Sequence, residues 1–274
     1  MTIVADRDLV EALLPAVLAA GRIEMSYLSA GVKVETKADA TPVTAADHEA
    51  EVILVEGLSK VAPGIPVIAE ESVAAGKVPE TEGEFFLVDP LDGTRAFIAG
   101  KPEFTINIGL IRNNRPVFGI IYAPASGKFF ATLSHQEAVE ADIAPDTRGE
   151  RLADHAIRAL CTRDPDPKAL VAFTSRSHAA KDTGEFLKRL PITETKKASS
   201  SLKFCLIARG EADLYARLGA TSEWDTAAGQ AILTAAGGSV TTLDGAPLAY
   251  GKKGDRFINP HFVAWARRPL LGAA

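Results

Sequence analysis

The chain has 274 residues, 47% of them hydrophobic and 24% charged, and carries a formal net charge of −5. A chain this long buries roughly three quarters of its unfolded surface and sits where one core stops growing, so two subdomains are expected and no disulfide is needed for folding. The acidic balance excludes a general polyanion binder, and with it a nucleic-acid polymer as partner, but it leaves room for a small phosphorylated substrate, because acids gathered round divalent cations reverse the local field.

From residue 6 to 30 the apolar positions Leu9, Leu13, Val17, Ala20 and Ile23 recur three and four apart, which places them on one helical face. No basic segment leads into a long apolar run there, and the most apolar part, 13–21, is short and holds Pro15. A cytoplasmic protein without stable membrane anchoring is expected. Thr44-Ala45-Ala46-Asp47 opens a second periodic run, Ala50, Ile53, Leu54, Gly57 and Leu58, which Pro63-Gly64 stops. Residues 66–69 and 85–88 then read as short strands ending on acids, Glu70 and Asp89. Residues 104–110 alternate in hydropathy, and 117–122 and 128–132 follow across turns, which predicts an antiparallel meander.

Between about 137 and 167 the chain turns polar, broken by Pro145, Gly149 and Asp164. The subdomain boundary is placed there. Residues 1–155 form an N-terminal α+β, metal-binding part with an antiparallel sheet, and 156–274 a C-terminal α/β part that meets the substrate. In the second part strands at 170–173, 192–195 and 212–216 alternate with helices at 179–190 and from 202. A helix at 227–236 follows, ended by Gly237-Gly238, and then a strand at 239–242. Cys161 and Cys205 form no Cys-x-x-Cys unit and have no histidine pair nearby, so both read as reduced core thiols rather than zinc ligands.

The chemistry concentrates in Asp89-Pro90-Leu91-Asp92-Gly93-Thr94, directly after a buried strand and before a segment, 95–100, that can open a helical turn. Pro90 fixes the backbone and Gly93 allows close approach, so two acids and the Leu91 carbonyl can converge on hard cations, which prefer oxygen ligands. The backbone N–H groups after Gly93 suit a phosphate. Each acidic element also has a plainer reading: Asp92-Gly93 as a turn, Glu70-Glu71 as a solvated corner, and Asp225 and Asp47 as caps of the helices that follow them.

Taken together, Glu70-Glu71, the six-residue element and Trp224-Asp225-Thr226-Ala227-Ala228-Gly229 occur in the order found in the inositol monophosphatase superfamily, which the chain resembles over nearly its whole length. The resemblance implies a layered α/β/α/β/α sandwich of the sugar-phosphatase type. It implies Glu70, Asp89, Asp92, Asp225 and the Leu91 carbonyl as ligands of two to three magnesium ions. Thr94 and Asp47 would orient and deprotonate the attacking water, and Glu70 is counted with them as catalytic. The substrate would touch Glu70, Leu91, Asp92, Gly93, Thr94 and Asp225. Members of the superfamily often form homodimers, and lithium inhibits by taking a magnesium position.

Magnitudes favour metals over a lone base. Enzymes accelerate monoester hydrolysis by up to about 10²¹-fold, whereas one positioned base supplies only about 10²- to 10⁴-fold. Direct transfer to water, without a phosphoenzyme, is therefore expected.

Specificity should come from the second half. Thr174-Ser175-Arg176-Ser177-His178 follows a strand and Ser199-Ser200-Ser201-Leu202-Lys203 opens a helix, so Ser175, Arg176, His178, Ser200 and Lys203 can face a second phosphate. Both segments also read as ordinary caps, with Lys203 in solvent. The wording of 85–88 and 104–108 resembles the bacterial bisphosphate nucleotidases, which implies adenosine 3',5'-bisphosphate cleaved to AMP. Inositol monophosphate or fructose 1,6-bisphosphate on the same fold is the alternative, and a catalytically silent metal- or phosphate-binding module is the alternative from another class. Tyr215, Tyr250 and Trp265 are the candidates for stacking on adenine, though each also reads as core. Lys252 and Lys253 read as solvated. A haloacid-dehalogenase-type phosphatase is disfavoured because two residues, not one, separate Asp89 from Asp92.

Overall fold

In a computed structural model of the chain the described residues are 6–31, 34–36, 42–147, 151–175 and 181–269. Two helices, α1 (Asp6–Ala30) and α2 (Ala45–Val61), are linked through an antiparallel ribbon of β1 (Val34–Thr36) and β2 (Pro42–Thr44). Next come β3 (Val67–Ala69), α3 (Glu70–Ala74), β4 (Glu84–Asp92) and α4 (Thr94–Ile98). A meander follows, β5 (Thr105–Arg112), β6 (Arg115–Ala123), β7 (Lys128–Ser134), β8 (Glu137–Asp142) and β9 (Ile157–Ala159). β3 to β9 lie side by side in chain order in one seven-stranded sheet, parallel only at β3–β4.

The rest of the chain contributes β10 (Leu170–Ser175), α5 (Lys181–Leu187), β11 (Ile192–Ala198) and α6 (Leu202–Ala208). It closes with β12 (Leu214–Arg217), α7 (Ala227–Ala235), β13 (Ser239–Thr242) and β14 (Phe262–Trp265). These strands form a five-stranded sheet in the order β11-β10-β12-β14-β13, parallel around β10 and antiparallel around β14.

Strand alternation builds the layers. Phe86 and Val88 of β4, with Ile106, Ile108 and Leu110 of β5, pack under Leu13, Val17 and Leu54 of α1 and α2. Phe85 and Leu87 point the other way, into a core shared with Phe204 of α6, Ala228 and Ile232 of α7, and Phe173, Tyr215 and Phe262 of the second sheet. The far side of that sheet, Leu170, Leu214 and Trp265, is covered by Phe186 and Leu187 of α5. The order is α1/α2, sheet, α6/α7, sheet, α5, which is the expected five-layer sandwich. Among the described residues, no helix is long and apolar enough to cross a membrane.

Several local expectations change. The polar stretch from 137 contains two further strands of the first sheet, β8 and β9, whose buried positions include Val139 and Ala141. Cys161 is exposed and only Cys205 is a core thiol. Trp265 and Tyr250 are core residues, the indole donating to Thr241 Oγ1 at 3.2 Å and the phenol to Gln230 Oε1 at 2.8 Å. On α1, Ile23 is only half-buried, and the 3.6-residue period carries the covered face on to Glu24, four residues after Ala20.

Glu24 is wholly buried and neither of its carboxyl oxygens has a hydrogen-bond partner. Burial, then the charge of Asp47, holds its pKa well above the usual carboxylate range, and the phenol of Tyr122 also lies in its field. With the folded pKa raised, the stabilising contribution is complete below the unfolded value, about 4.5, and drains away as pH rises toward the folded value. Glu24→Gln keeps the shape and needs no proton. Its melting temperature should exceed the wild type's by a margin that widens to several degrees between about pH 5 and about pH 8. A margin that stays constant across that range would contradict this reading of Glu24.

Candidate active site

The acids are delivered by three separate chain features. Glu70 is the first residue of α3, and the α2 residue Glu51 fixes that start by accepting from the N–H of Glu71 at 2.7 Å and of Ser72 at 2.8 Å. Sequence reasoning passed over Glu51. It reads as one polar position on a helix, and only the approach of α3 gives it a task.

β4 does not stop at Asp89 but runs on to Asp92. Asp89 pairs with Asn107 and Asp92 with Thr105, so three steps on β4 oppose two on β5 and one residue bulges out. The bulge lets Asp89 Oδ1 accept from its own Leu91 N–H at 3.0 Å. Gly93 then turns the chain with φ +99°, and a Cβ there would lie 3.0 Å from the Glu103 carbonyl oxygen, so the position demands glycine.

Asp225 stands just before α7, whose N-cap is Thr226, so Asp225 is not the cap. Its Oδ2 instead accepts from the Ser222 N–H at 2.9 Å, closing a local turn. Glu70, Asp89 and Asp225 each offer a ligand oxygen, and these oxygens lie within 4.8 Å of one another.

Crowding sets the electrostatics. Burial first, then Glu70, Asp92 and Asp225, pushes the Asp89 carboxyl well above the usual range. Burial, then Asp92 and Glu70, does the same to Asp225. An all-oxygen donor set whose charges raise one another's proton affinity fits a hard divalent cation, which would relieve that repulsion.

Asp47 divides its two oxygens between a cap of α2 and Thr94. Oδ2 accepts from Thr44 N–H at 2.8 Å and Thr44 Oγ1 at 2.6 Å, capping α2. Oδ1 lies 3.4 Å from Thr94 Oγ1, which is also 3.2 Å from the Leu91 carbonyl oxygen. Asp47 is 2% exposed and sits behind Thr94 rather than on the cleft wall.

These groups open into a cleft of about 750 Å³, within the range for small-molecule sites. Of the metal, catalytic and substrate candidates read from the sequence, Glu70, Asp89, Leu91, Asp92, Gly93, Thr94, Ser175, Ser200, Lys203 and Asp225 line it, Asp47 does not, and Arg176 and His178 lie outside the described residues. Ser175 and Ser200 are on its wall. Lys203 is not in solvent. It is 4% exposed, donates to the Ser200 carbonyl, and sits 4.8 Å over the Tyr215 ring. Burial, reinforced by Arg217, pushes its pKa down to about 8 against the pull of Asp92, Asp225 and Glu103.

The sequence reading also missed Arg217 and Arg256, which line the same cleft. Arg217 ends β12 one residue past the predicted strand, where a cation at a strand end was the available signal. Its guanidinium donates to the Ala220 carbonyl at 2.9 Å. Lys252 is likewise not merely solvated: with the Gly251 N–H it binds the fully buried Glu223, its ammonium 2.6 Å from the carboxylate. That pairing holds the 251–258 segment, with Arg256 and Ile258, against Trp224 at the cleft edge.

Two sheets and three helical layers that gather three carboxylates and a Thr–Asp pair into one cleft define an α/β protein with a candidate divalent-cation centre. The chain belongs to the inositol monophosphatase family, which it matches over residues 6–267. The 3'(2'),5'-bisphosphate nucleotidase CysQ of Shigella flexneri is 41% identical over 229 residues, 84% of this chain and 87% of that protein. The protein of the same name from Haemophilus influenzae is 33% identical over 245 residues, 89% of this chain and 87% of that one. Among solved structures, CysQ from Bacteroides thetaiotaomicron, described as a bacterial member of the family, aligns with TM-score 0.78 at 31% identity over 96% of this chain and 98% of its own. Thermotoga maritima IMPase shares the fold, with TM-score 0.73 at 23% identity over 94% of this chain and 92% of its own.

Proposed function

We propose that the protein is a magnesium-dependent phosphomonoesterase that hydrolyses adenosine 3',5'-bisphosphate to AMP and phosphate, and that it acts in the cytoplasm. The observation that carries this reading is a single cleft lined both by Glu70, Asp89 and Asp225, whose oxygens gather within 4.8 Å, and by the basic side chains Lys203, Arg217 and Arg256. The acids suit cations and, through them, the phosphate to be cleaved. The basic side chains suit a second phosphate, which an inositol monophosphate lacks. The bisphosphate in the relatives' names has two phosphates.

Glu70, Asp89 and Asp225 would hold magnesium, with Asp92 and the Leu91 carbonyl completing a set of two to three ions. Bound magnesium supplies a more acidic water and neutralises charge on the ester. Thr94 Oγ1 positions the attacking water, and the proton passes through that hydroxyl to Asp47 Oδ1. The Thr44 N–H and hydroxyl hold Oδ2 of Asp47 and so keep Oδ1 aimed at Thr94. The phosphorus–O3' bond breaks in line as water adds, and the released 3'-oxygen takes up a proton. Lys203 and Arg217 hold the 5'-phosphate during this exchange. In this reading residues 1–155 supply most of the cation site, and 156–274 supply Asp225 and the cations that choose the substrate.

The test is phosphate release from adenosine 3',5'-bisphosphate, inositol 1-phosphate and fructose 1,6-bisphosphate under magnesium. Preference for the nucleotide, with inhibition by lithium, is the expected result. Preference for either sugar ester sinks the nucleotide assignment, and tight binding without turnover favours a silent binding module.

Replacing Arg217 by Met should raise KM for the bisphosphate by about tenfold or more, since a charge-assisted bond is worth about 1.5–3 kcal/mol. Release from inositol 1-phosphate, which has no second phosphate to offer, should change little. Equal losses on both substrates would remove Arg217 from the second-phosphate site.

A further inference from the structure

Behind the acids lies a chain of buried hydroxyls with no part in the mechanism above. The β4–β5 register sets Asn107 opposite Asp89 and Thr105 opposite Asp92, and both Asn107 and Thr105 are wholly buried. Thr105 Oγ1 is 2.5 Å from Ser200 Oγ and 2.9 Å from Ser201 Oγ. Ser201 Oγ donates to Asn107 Oδ1 at 2.7 Å. Ser200 Oγ and the Ser201 N–H both donate to Asp92 Oδ2, each at 2.7 Å.

Proton accounting gives the relay a direction. The Ser200 proton is committed to Asp92 and the Ser201 proton to Asn107, so the single Thr105 proton must go to a serine oxygen. Donation along the shorter of the two contacts, to Ser200, polarises that hydroxyl and strengthens its bond to the carboxylate. Both donors converge on Oδ2, which leaves Asp92 Oδ1 for the cation cluster.

Two further features mark the relay as held in place. Ser200 has φ +58°, a left-handed conformation that a residue with a Cβ adopts only when its surroundings impose it. Asn107 Nδ2 is buried without a hydrogen-bond partner, a cost tolerated while Oδ1 fixes Ser201.

We propose that Thr105 and Asn107 are positioning residues that aim Asp92 through the hydroxyls of Ser200 and Ser201, so that the turn facing the substrate's second phosphate also sets the geometry of a cation ligand. This rests on the proposed function for the place of Asp92 among the ligands. The turn thereby ties the basic lining of the cleft to its acids, and anything that shifts 199–203 also turns Asp92.

The test uses the full chain and Mn²⁺ alone as probe, titrated by electron paramagnetic resonance. Thr105→Val keeps the volume and removes the hydroxyl. It should weaken Mn²⁺ binding by about 10- to 100-fold, the usual cost of losing a partner that orients a metal ligand. Thr105→Ser, which restores the hydroxyl, should bind close to wild type. A purely structural role for Thr105 would lower the melting temperature and leave the Mn²⁺ affinity alone. If Thr105→Val does not fold, Ser200→Ala breaks the same relay from a half-buried position and carries the same titration.

A folded Thr105→Val or Ser200→Ala protein with wild-type Mn²⁺ affinity overturns the inference while leaving the nucleotidase reading standing. Mn²⁺ binding that depends on Thr105 in a protein that releases no phosphate from the bisphosphate supports the inference and overturns the substrate instead.

Discussion

Asp89→Asn will lower kcat on the order of 10³-fold or more and at the same time raise the melting temperature of the protein in chelator. The loss follows from removing the most buried of the three clustered carboxylates, a group 1% exposed whose oxygen faces Glu70 and Asp225. Metal-assisted charge stabilisation is worth several kcal/mol in a transition state, which sets that scale. The gain follows from the same crowding. Without a cation, burial and three neighbouring acids oppose ionisation of Asp89, so the contribution present below the unfolded pKa, about 3.8, is lost as pH rises toward the folded value. Asparagine carries no charge and escapes that loss.

Calorimetry with and without magnesium checks both halves. Wild type should gain stability from magnesium by mass action, and Asp89→Asn should gain little. A variant that is less stable than wild type in chelator would mean that Asp89 is held by structural bonds rather than placed against repulsion. Retained turnover would remove it from the cation site.

Gly119→Ala will destabilise the fold by about 1–3 kcal/mol or more, the usual cost of forcing atoms into a packed site. Gly119 and Gly109 are partners across β5 and β6 and form a flat saddle on which the first turn of α7 rests. A Cβ on Gly119 would lie 2.4 Å from the Ala228 carbonyl oxygen and 2.9 Å from its Cα, both backbone atoms that cannot rotate aside. The helix must lift. Each kcal/mol should lower the melting temperature by roughly 2–4 °C in a chain of this size.

Because Asp225 stands two residues before α7, the same lift should weaken cation binding. Thermal melts and Mn²⁺ titration of Gly119→Ala read the two effects separately. Lost stability with unchanged Mn²⁺ affinity would show that the turn through Ser222 holds Asp225 independently of the helix. Wild-type stability would show that the saddle has room to spare.

Much of this could be read from the residues in order, and the reason is locality. α1 and α2 follow from apolar residues three and four apart, and the meander from alternation and turns. Asp89, Asp92, Gly93 and Thr94 stand within one six-residue element, so the acids and the left-handed glycine turn could be read together, while the bulge itself is set by pairing with β5. The departures are equally physical. Residues 137–167 look polar because β8 and β9 lie toward the edge of their sheet, where many side chains meet water. Lys203 read as well as a solvated cation as one facing a phosphate, and Lys252 read as solvated, because a lysine carries no mark of the aromatic ring or the buried glutamate it will meet.

By itself, then, the sequence determined the helices, most of the strands, and the identity and local geometry of the acidic elements, since periodicity and turn chemistry act over a few residues. The tertiary structure alone decided which groups meet. It brought Glu51 under α3, divided Asp47 between a helix cap and Thr94, and placed Arg217 and Arg256 in the same cleft as the acids. It buried Glu24 without a partner, and it joined Thr105 and Asn107 to Asp92 through two serines from the second half of the chain. Those outcomes depend on how two sheets close on α6 and α7, and the environment of a charge is a property of whatever comes to cover it.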